Sequence, residues 1–292
     1  MIEDDKHPPK HEREHGHEDE TEDDALAEAY NRGLELQKAG DLKGAEVAFR
    51  EVLALDPDDT GGASIRLAAI GAEQAPEKMP DAYVATLFDQ HADVFDDILV
   101  DELGYCVPLL LRDMIRHLEI GPFSRFLDLG CGTGLTGMAL ADCTVHRTGV
   151  DLSERIVEHA YDREVYDDLY LGEAVEFLTE FEEDDGTRPC WDLVAATDVF
   201  PYLGAVEPLL AGAVERLNPR GYLAFSTETL PEETLGGRSY MVGPNNRFAQ
   251  GEGYIRSALD AAGFDILAMD PITVRLEAGD PVPGHLVMAQ LR

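Results

Sequence analysis

The chain has 292 residues, 44% of them hydrophobic, enough for one full domain with its own core and a smaller extra unit. Its 59 acidic residues against 23 Lys and Arg (five of them lysine) leave a net charge of −36 spread along the whole length. That balance repels anionic membranes and nucleic acid, argues against a duplex DNA substrate, and fits adaptation to a salt-rich cytoplasm, where salt screens self-repulsion within a few Å. No apolar run approaches the ~20 residues of a membrane helix and no signal-peptide core opens the chain. Cys106, Cys131, Cys143 and Cys190 form no C-x-x-C pair. They are expected to be reduced thiols of a cytoplasmic protein, with no zinc site or disulfide frame.

Residues 1–24 carry eleven acids, four histidines and almost no apolar side chains, so disorder is expected there. A helix would stack His7, His11 and His15 beside His17, but Pro8 and Pro9 oppose that helix, and no metal is expected. From Ala25 to about Gly71 apolar residues recur at helical intervals (Tyr30, Leu34, then Ala45, Ala48, Phe49, Val52), broken at Gly40-Asp41 and ended at Asp56-Pro57. Gly33, Gly40, Ala45, Phe49 and Pro57 fall in frame with the tetratricopeptide repeat, which this segment resembles. One and a half repeats fall short of the usual three. The segment either binds a protein partner or packs on the rest of the chain.

Residues 72–120 read as a linker followed by helices. Apolar positions 83, 87, 88, 92, 95, 98 and 99 share one helical face.

The decisive stretch is Phe126-Leu-Asp-Leu-Gly-Cys-Gly-Thr-Gly-Leu-Thr-Gly137, an apolar strand feeding a helix through glycines at alternate positions. Without Cβ atoms, a ligand can lie on the backbone of Gly130, Gly132 and Gly134. Gly132-x-Gly134-x-x-Gly137 also fits the dinucleotide fingerprint. However, Asp128 stands two places ahead of Gly130 and would repel a pyrophosphate, whereas it suits an amino group. The string Leu127-Asp-Leu-Gly-Cys-Gly-Thr-Gly134 resembles the first motif of class I S-adenosylmethionine-dependent methyltransferases. Cys131 is a small filler in that loop.

The resemblance covers about residues 81–292. It implies a seven-stranded, mostly parallel, doubly wound sheet, with the last strand antiparallel beside the fifth, and S-adenosylmethionine as cofactor. It also implies that Asp128, Gly130, Cys131, Gly132 and Thr133 hold the cofactor, that Asp151 and Leu152 at the end of the second strand take its ribose, and that Glu173 and Ala174 lie near its adenine. The helices over 81–102 resemble the lids of small-molecule methyltransferases, so Tyr83, Phe88 and Phe95 either line the site or pack in a core. Strand four, Trp191–Ala196, ends at Thr197, Asp198, Phe200 and Tyr202, where open α/β sheets place ligands. Thr197 is assigned to the cofactor and Phe200 and Tyr202 to the substrate. Asp198 is either a general base or a loop holder. Glu228 leaves strand five at the same end. Residues 229–253 lack periodicity and are expected to cover the substrate, with Arg247, Phe248, Gln250 and Tyr254 as contacts.

Methyl transfer to an undefined, small, neutral or partly apolar acceptor is the activity expected, with no nucleic acid or membrane partner. A dinucleotide-dependent oxidoreductase is disfavoured by Asp128. An interaction protein acting through residues 25–71 is the other alternative.

Overall fold

In the computed structural model the backbone is described over residues 16–292 and side chains from Asp24 onward. The chain divides into two compact units, Met1–Asp59 and Thr60–Arg292. The histidines His7, His11 and His15 lie outside the described residues.

The first unit is an antiparallel hairpin of α1 (Gly16–Lys38) and α2 (Leu42–Leu55). The first helix thus begins ahead of the Ala25 start expected from apolar spacing. Gly40, at φ 80°, makes the reversal that a side chain would oppose. Asp41 then caps α2 by accepting the Gly44 amide at 3.0 Å. Ala45, Ala48, Phe49 and Val52 form the buried face of α2.

The second unit starts with α3 (Ala63–Ala69) and α4 (Asp81–His91), followed by a 3-10 turn at Ala92–Val94, a π-helical turn at Asp97–Glu102, and α5 (Val107–His117). Alternation of strand and helix then sets in: β1 (Phe123–Leu129), α6 (Leu135–Ala139), β2 (Thr144–Asp151), α7 (Glu154–Asp162), β3 (Asp168–Leu171), α8 (Ala174–Glu180), β4 (Trp191–Ala196), α9 (Glu207–Arg216) and β5 (Leu217–Glu228). The insert holds α10 (Glu232–Leu235) and a hairpin of β6 (Tyr240–Val242) and β7 (Phe248–Gln250). The chain closes with α11 (Glu252–Ala261), β8 (Phe264–Glu277) and β9 (Asp280–Leu291).

Seven strands form one sheet in the order β3-β2-β1-β4-β5-β9-β8. The first five run parallel, and β9 is antiparallel to both β5 and β8. This is the doubly wound, Rossmann-like sheet expected, with its last strand inserted as expected. Period-two alternation divides the apolar residues between two faces. Leu127, Leu129, Val194, Ala196, Leu223 and Phe225 join one core with α8, α9 and α11. Phe126, Leu193, Ala195, Ala224, Leu286 and Met288 join the other with α5. Strands buried on both faces read as continuous apolar runs, which is why β1 and β4 are legible in the sequence.

β8 and β9 form one long hairpin. Its reversal is Ala278-Gly279, with both residues at positive φ (50° and 90°), a geometry usually carried by Asn-Gly or Asp-Gly. The alanine hides the turn from a sequence reading, and Pro271, Pro281 and Pro283 hide the strands around it.

Where β9 crosses β5, the backbones approach closely. A Cβ on Gly284 would stand 1.9 Å from the Thr227 carbonyl oxygen and 2.4 Å from Val274. Gly284→Ala is therefore expected to destabilise the second unit by roughly 1–3 kcal/mol through overpacking. Chemical unfolding would show this as a lowered urea midpoint.

Candidate functional site

The cleft lies at the C-terminal ends of the parallel strands, in about 920 Å³ of atom-free space. Its floor is the loop after β1. Gly130, Gly132 and Gly134 adopt φ of 60°, 56° and 97°, the left-handed region that only glycine enters without strain. Gly130 and Gly132 line the cleft with Cys131 and Thr133.

Asp151 and Leu152 face this loop from the end of β2 and also line the cleft. The Asp151 carboxylate accepts the Gly132 amide at 2.9 Å through one oxygen and the Ser153 amide at 3.0 Å through the other. Burial raises its pKa, while the Ser153, Gly132 and Leu152 amides pull it down. Ser153 caps α7 by accepting the Ile156 amide. Glu173 caps α8 in the same way, accepting the Glu176 amide at 2.7 Å, and with Ala174 closes the third side of the cleft. Glu173 thereby takes the capping role usually held by a short polar residue.

Thr197 and Asp198 follow β4 and line the cleft. Asp198 is a non-glycine residue at φ 62°. Its amide donates to Ser226 Oγ at 2.9 Å, and its carboxylate pairs with Arg247 at 2.5 Å. Phe88, Phe95 and Tyr202 form an aromatic wall, with ring centroids 5.7 Å and 5.5 Å apart across Phe88. The ring of Tyr202 lies under the Arg247 guanidinium, 4.7 Å from its centre, and its hydroxyl accepts from Arg247 at 2.6 Å. Burial lifts the Tyr202 pKa to about 12, opposed by Arg247 and assisted by Asp198.

Several expected contacts are not at the cleft. Asp128 is buried beneath the glycine loop, where it accepts the Tyr166 hydroxyl at 2.7 Å, and its Oδ1 has no hydrogen-bond partner among the described residues. Tyr83 packs against the backbone of Gly62, whose Cβ would meet the ring at 2.7 Å, in the apolar cluster of Ile65, Met79, Val242 and Phe248. Phe200 stacks on Phe225 at 4.0 Å in the main core. Tyr254 donates to Glu207 at 2.6 Å and accepts the Val206 amide. The insert does not lie over the cleft. Phe248 and Val242 tie its hairpin into an apolar cluster, and Gln250 donates to the carbonyls of Phe200 and Leu203. Arg247 stands behind Asp198 and Tyr202, joined also to Glu228 at 2.6 Å, and Arg275 donates to that same Glu228 oxygen at 2.6 Å. Glu228 is thereby held in a buried charge network and is not directed at a ligand.

The structure adds Tyr105, Thr136, Leu99 and Lys78 to the lining. Thr136 and Thr197 share a hydrogen bond at 2.8 Å. Burial raises the Tyr105 pKa well above its usual value, aided by Asp198. Tyr105 carries no local pattern in the sequence. It reaches the cleft because Gly104, at φ 62°, turns the chain before α5.

The donor set fits S-adenosylmethionine. Backbone amides and left-handed glycines offer an open floor, Asp151 offers carboxylate oxygens to ligand hydroxyls, and Glu173 and Ala174 close the side of the cleft next to them. Residues 127–223 match the family model of a methyltransferase domain. An 18S rRNA (guanine-N(7))-methyltransferase of Bos taurus is 45% identical over 47 residues, 16% of this chain and 17% of that protein. A ubiquinone biosynthesis O-methyltransferase of Hydrogenovibrio crunogenus is 27% identical over 119 residues, 39% of this chain and 47% of that one. The chain thus spans less than half the length of either relative. The solved structure of a SAM-dependent methyltransferase, possible histamine N-methyltransferase, from Thermotoga maritima aligns at TM-score 0.51 and 17% identity, over 71% of this chain and 98% of that one. The second unit has the class I methyltransferase fold, and residues 127–223 within it match the methyltransferase-domain model.

Burial pushes the Asp128 pKa up to about 7, with Tyr166 opposing and Asp151 adding to the shift. The folded value lies above the unfolded one, so the stability this group contributes is present below pH 3.8 and is lost as pH rises through about 7. Asp128→Asn removes that loss. Urea titrations are expected to give it the same midpoint as wild type near pH 3.8 and a higher one above pH 7.

Proposed function

We propose that the protein transfers a methyl group from S-adenosylmethionine to a small-molecule acceptor. The observation that carries this reading is one continuous cleft. The glycine loop, Asp151 and Glu173 line it together with Asp198 and the wall of Phe88, Phe95 and Tyr202. The bound cofactor supplies a carbon already activated by a sulfonium.

What the chain supplies is alignment and exclusion of water. Gly130, Cys131, Gly132 and Thr133 carry the methionine portion on their backbone, and Asp151 and Leu152 the ribose. Glu173 and Ala174 flank the base, and Thr197 the methyl-bearing end. Phe88 and Tyr202 cover the acceptor. Asp198 offers it the carboxylate oxygen that Arg247 leaves open, as acceptor of a hydroxyl or amine proton.

The acceptor end favours a small, neutral molecule. Arg247 is occupied by Asp198, Glu228 and Tyr202, and Lys78 by Asp81 at 2.8 Å. Neither is open to a phosphate or carboxylate. With the chain at −36, RNA is disfavoured, although two relatives are named for rRNA.

Residues 72–120 serve in this reading as linker and lid, and residues 121–292 as the catalytic domain. Of residues 25–71, the hairpin of α1 and α2 keeps the tetratricopeptide-like reading, while α3, expected to close the repeat, packs within the second unit. That reading is supported by Gly33 facing Phe49, whose ring lies 2.6 Å from where a Cβ would stand, and a protein partner is its consequence. The four cysteines are free, in keeping with a cytoplasmic setting.

Calorimetric titration with S-adenosylmethionine and S-adenosylhomocysteine at high potassium chloride tests the cofactor. Binding is expected, and Asp151→Ala should weaken it by about tenfold or more, the worth of lost charge-assisted hydrogen bonds. Transfer of labelled methyl into fractionated extract tests the acceptor. Label in the small-molecule fraction is expected. Label in RNA overturns the acceptor class, and a folded protein that binds neither compound overturns the cofactor.

A further inference from the structure

The segment from Asp81 to Glu102 covers the cleft with almost no core of its own. Only Ala92 within it is fully buried, whereas the adjoining α5 buries Val107, Pro108, Leu111, Met114 and Ile115. Its apolar side gives Phe88, Phe95 and Leu99 to the cleft. Another side is acidic. Asp89, Asp93 and Asp96 follow one another at helical spacing and meet Arg155, His159 and Arg163 on α7 and its C-terminal cap.

Two of these acids do more than pair with α7. Asp96 accepts the Thr133 hydroxyl at 2.6 Å with one oxygen and pairs with Arg163 through the other. Thr133 belongs to the glycine loop. Asp89 accepts the Ser153 hydroxyl at 2.5 Å and the Arg155 amide at 3.3 Å, while Arg155 donates to the Asp89 carbonyl at 3.0 Å. Ser153 belongs to the loop that carries Asp151. Each cofactor loop is therefore bonded to the covering segment by one carboxylate.

Exposure separates Asp93 from Asp89 and Asp96, which are both half-buried. The Asp93 side chain is 70% exposed, and Asp96 with Arg163 only 29% and 31%. An exposed pair contributes little, and a half-buried, hydrogen-bonded carboxylate contributes more.

We propose that Asp89 and Asp96 are positioning residues of the cofactor site, coupling closure of the segment 81–102 to retention of the cofactor through Ser153 and Thr133. The proposal rests on the S-adenosylmethionine reading above. Because the segment is held by charges and not by a core, its closure weakens as salt screens those charges.

The test is the release rate of S-adenosylhomocysteine from the full chain, measured by surface plasmon resonance at rising potassium chloride. Asp96→Ala and Asp89→Ala should each release it about tenfold faster, the scale of one hydrogen bond to a charged group. Asp93→Ala should stay within about twofold of wild type. Asp96→Asn keeps an acceptor for Thr133 and should recover part of the loss. Release from wild type should quicken with salt, and release from Asp96→Asn/Arg163→Gln should do so less steeply. A merely structural role would lower the thermal midpoint and leave the salt dependence of release unchanged, which overturns the proposal. So does unchanged release from both alanine variants. Absence of binding to wild type overturns the cofactor reading, and this proposal with it.

Discussion

The Asp151 carboxylate joins two loops that come from different strands. One oxygen takes the Gly132 amide and the other the Ser153 amide. The first contact closes the glycine loop against the end of β2, and the second aligns the turn into α7. Both loops must be in place before a cleft exists between them. Three left-handed glycines permit the close approach, since a Cβ on Gly130 would stand 2.6 Å from Val199. The buried charge is tolerated because backbone amides satisfy it. Asp128, one strand over, lacks that full satisfaction. With one oxygen unpartnered and Tyr166 as its partner on the other, it sits near neutrality in its titration.

A second set of charges stands behind Asp198 and Tyr202. Asp198, Arg247, Glu228 and Arg275 form a chain of ion pairs with little exposure to water. Asp198 belongs to the turn after β4, Arg247 to the insert, Glu228 to the end of β5 and Arg275 to the long C-terminal hairpin. Four segments distant in sequence are thus fixed relative to one another by opposite charges that would be costly to leave unpaired. The insert acts here as a buttress. It positions Asp198 and Tyr202 from behind, and the front of the cleft is left to Phe88 and Phe95.

The strong negative charge of the chain has a local counterpart. Basic side chains in the second unit are largely committed to carboxylates, as Arg155 and Arg163 are to the covering segment and Arg247 and Arg275 are to Glu228. An acidic protein that spends its arginines on internal pairs has few left to receive an anionic acceptor. The same economy makes its closures sensitive to ionic strength.

Much of the fold was legible in the chain because parallel strands buried on both faces must be continuously apolar, and because a backbone-cradling loop must be glycine-rich. Residues 126–137 alone specify β1, the turn and the start of α6, and the placement of Gly130, Gly132, Thr133, Asp151 and Glu173 around one cleft follows from strand order. The long β8–β9 hairpin was not legible, since Ala278 stands where the turn chemistry calls for Asn or Asp. Nor were Tyr105, Tyr166 and the Asp89 and Asp96 bonds, whose partners lie in distant segments. Position along the chain also misplaced Phe200, Tyr83, Tyr254 and Arg247. Phe200 and Tyr83 lie within a few residues of cleft residues, and Arg247 and Tyr254 in or beside the aperiodic insert, yet each side chain is drawn into a core, a hydrogen bond away from the cleft or a charge network. The amino-acid order determined which backbone can form a strand, a turn or a helix, because those choices rest on local sterics and periodicity. Which side chains face the ligand was decided by tertiary packing, where burial of rings and pairing of charges outweigh nearness in sequence.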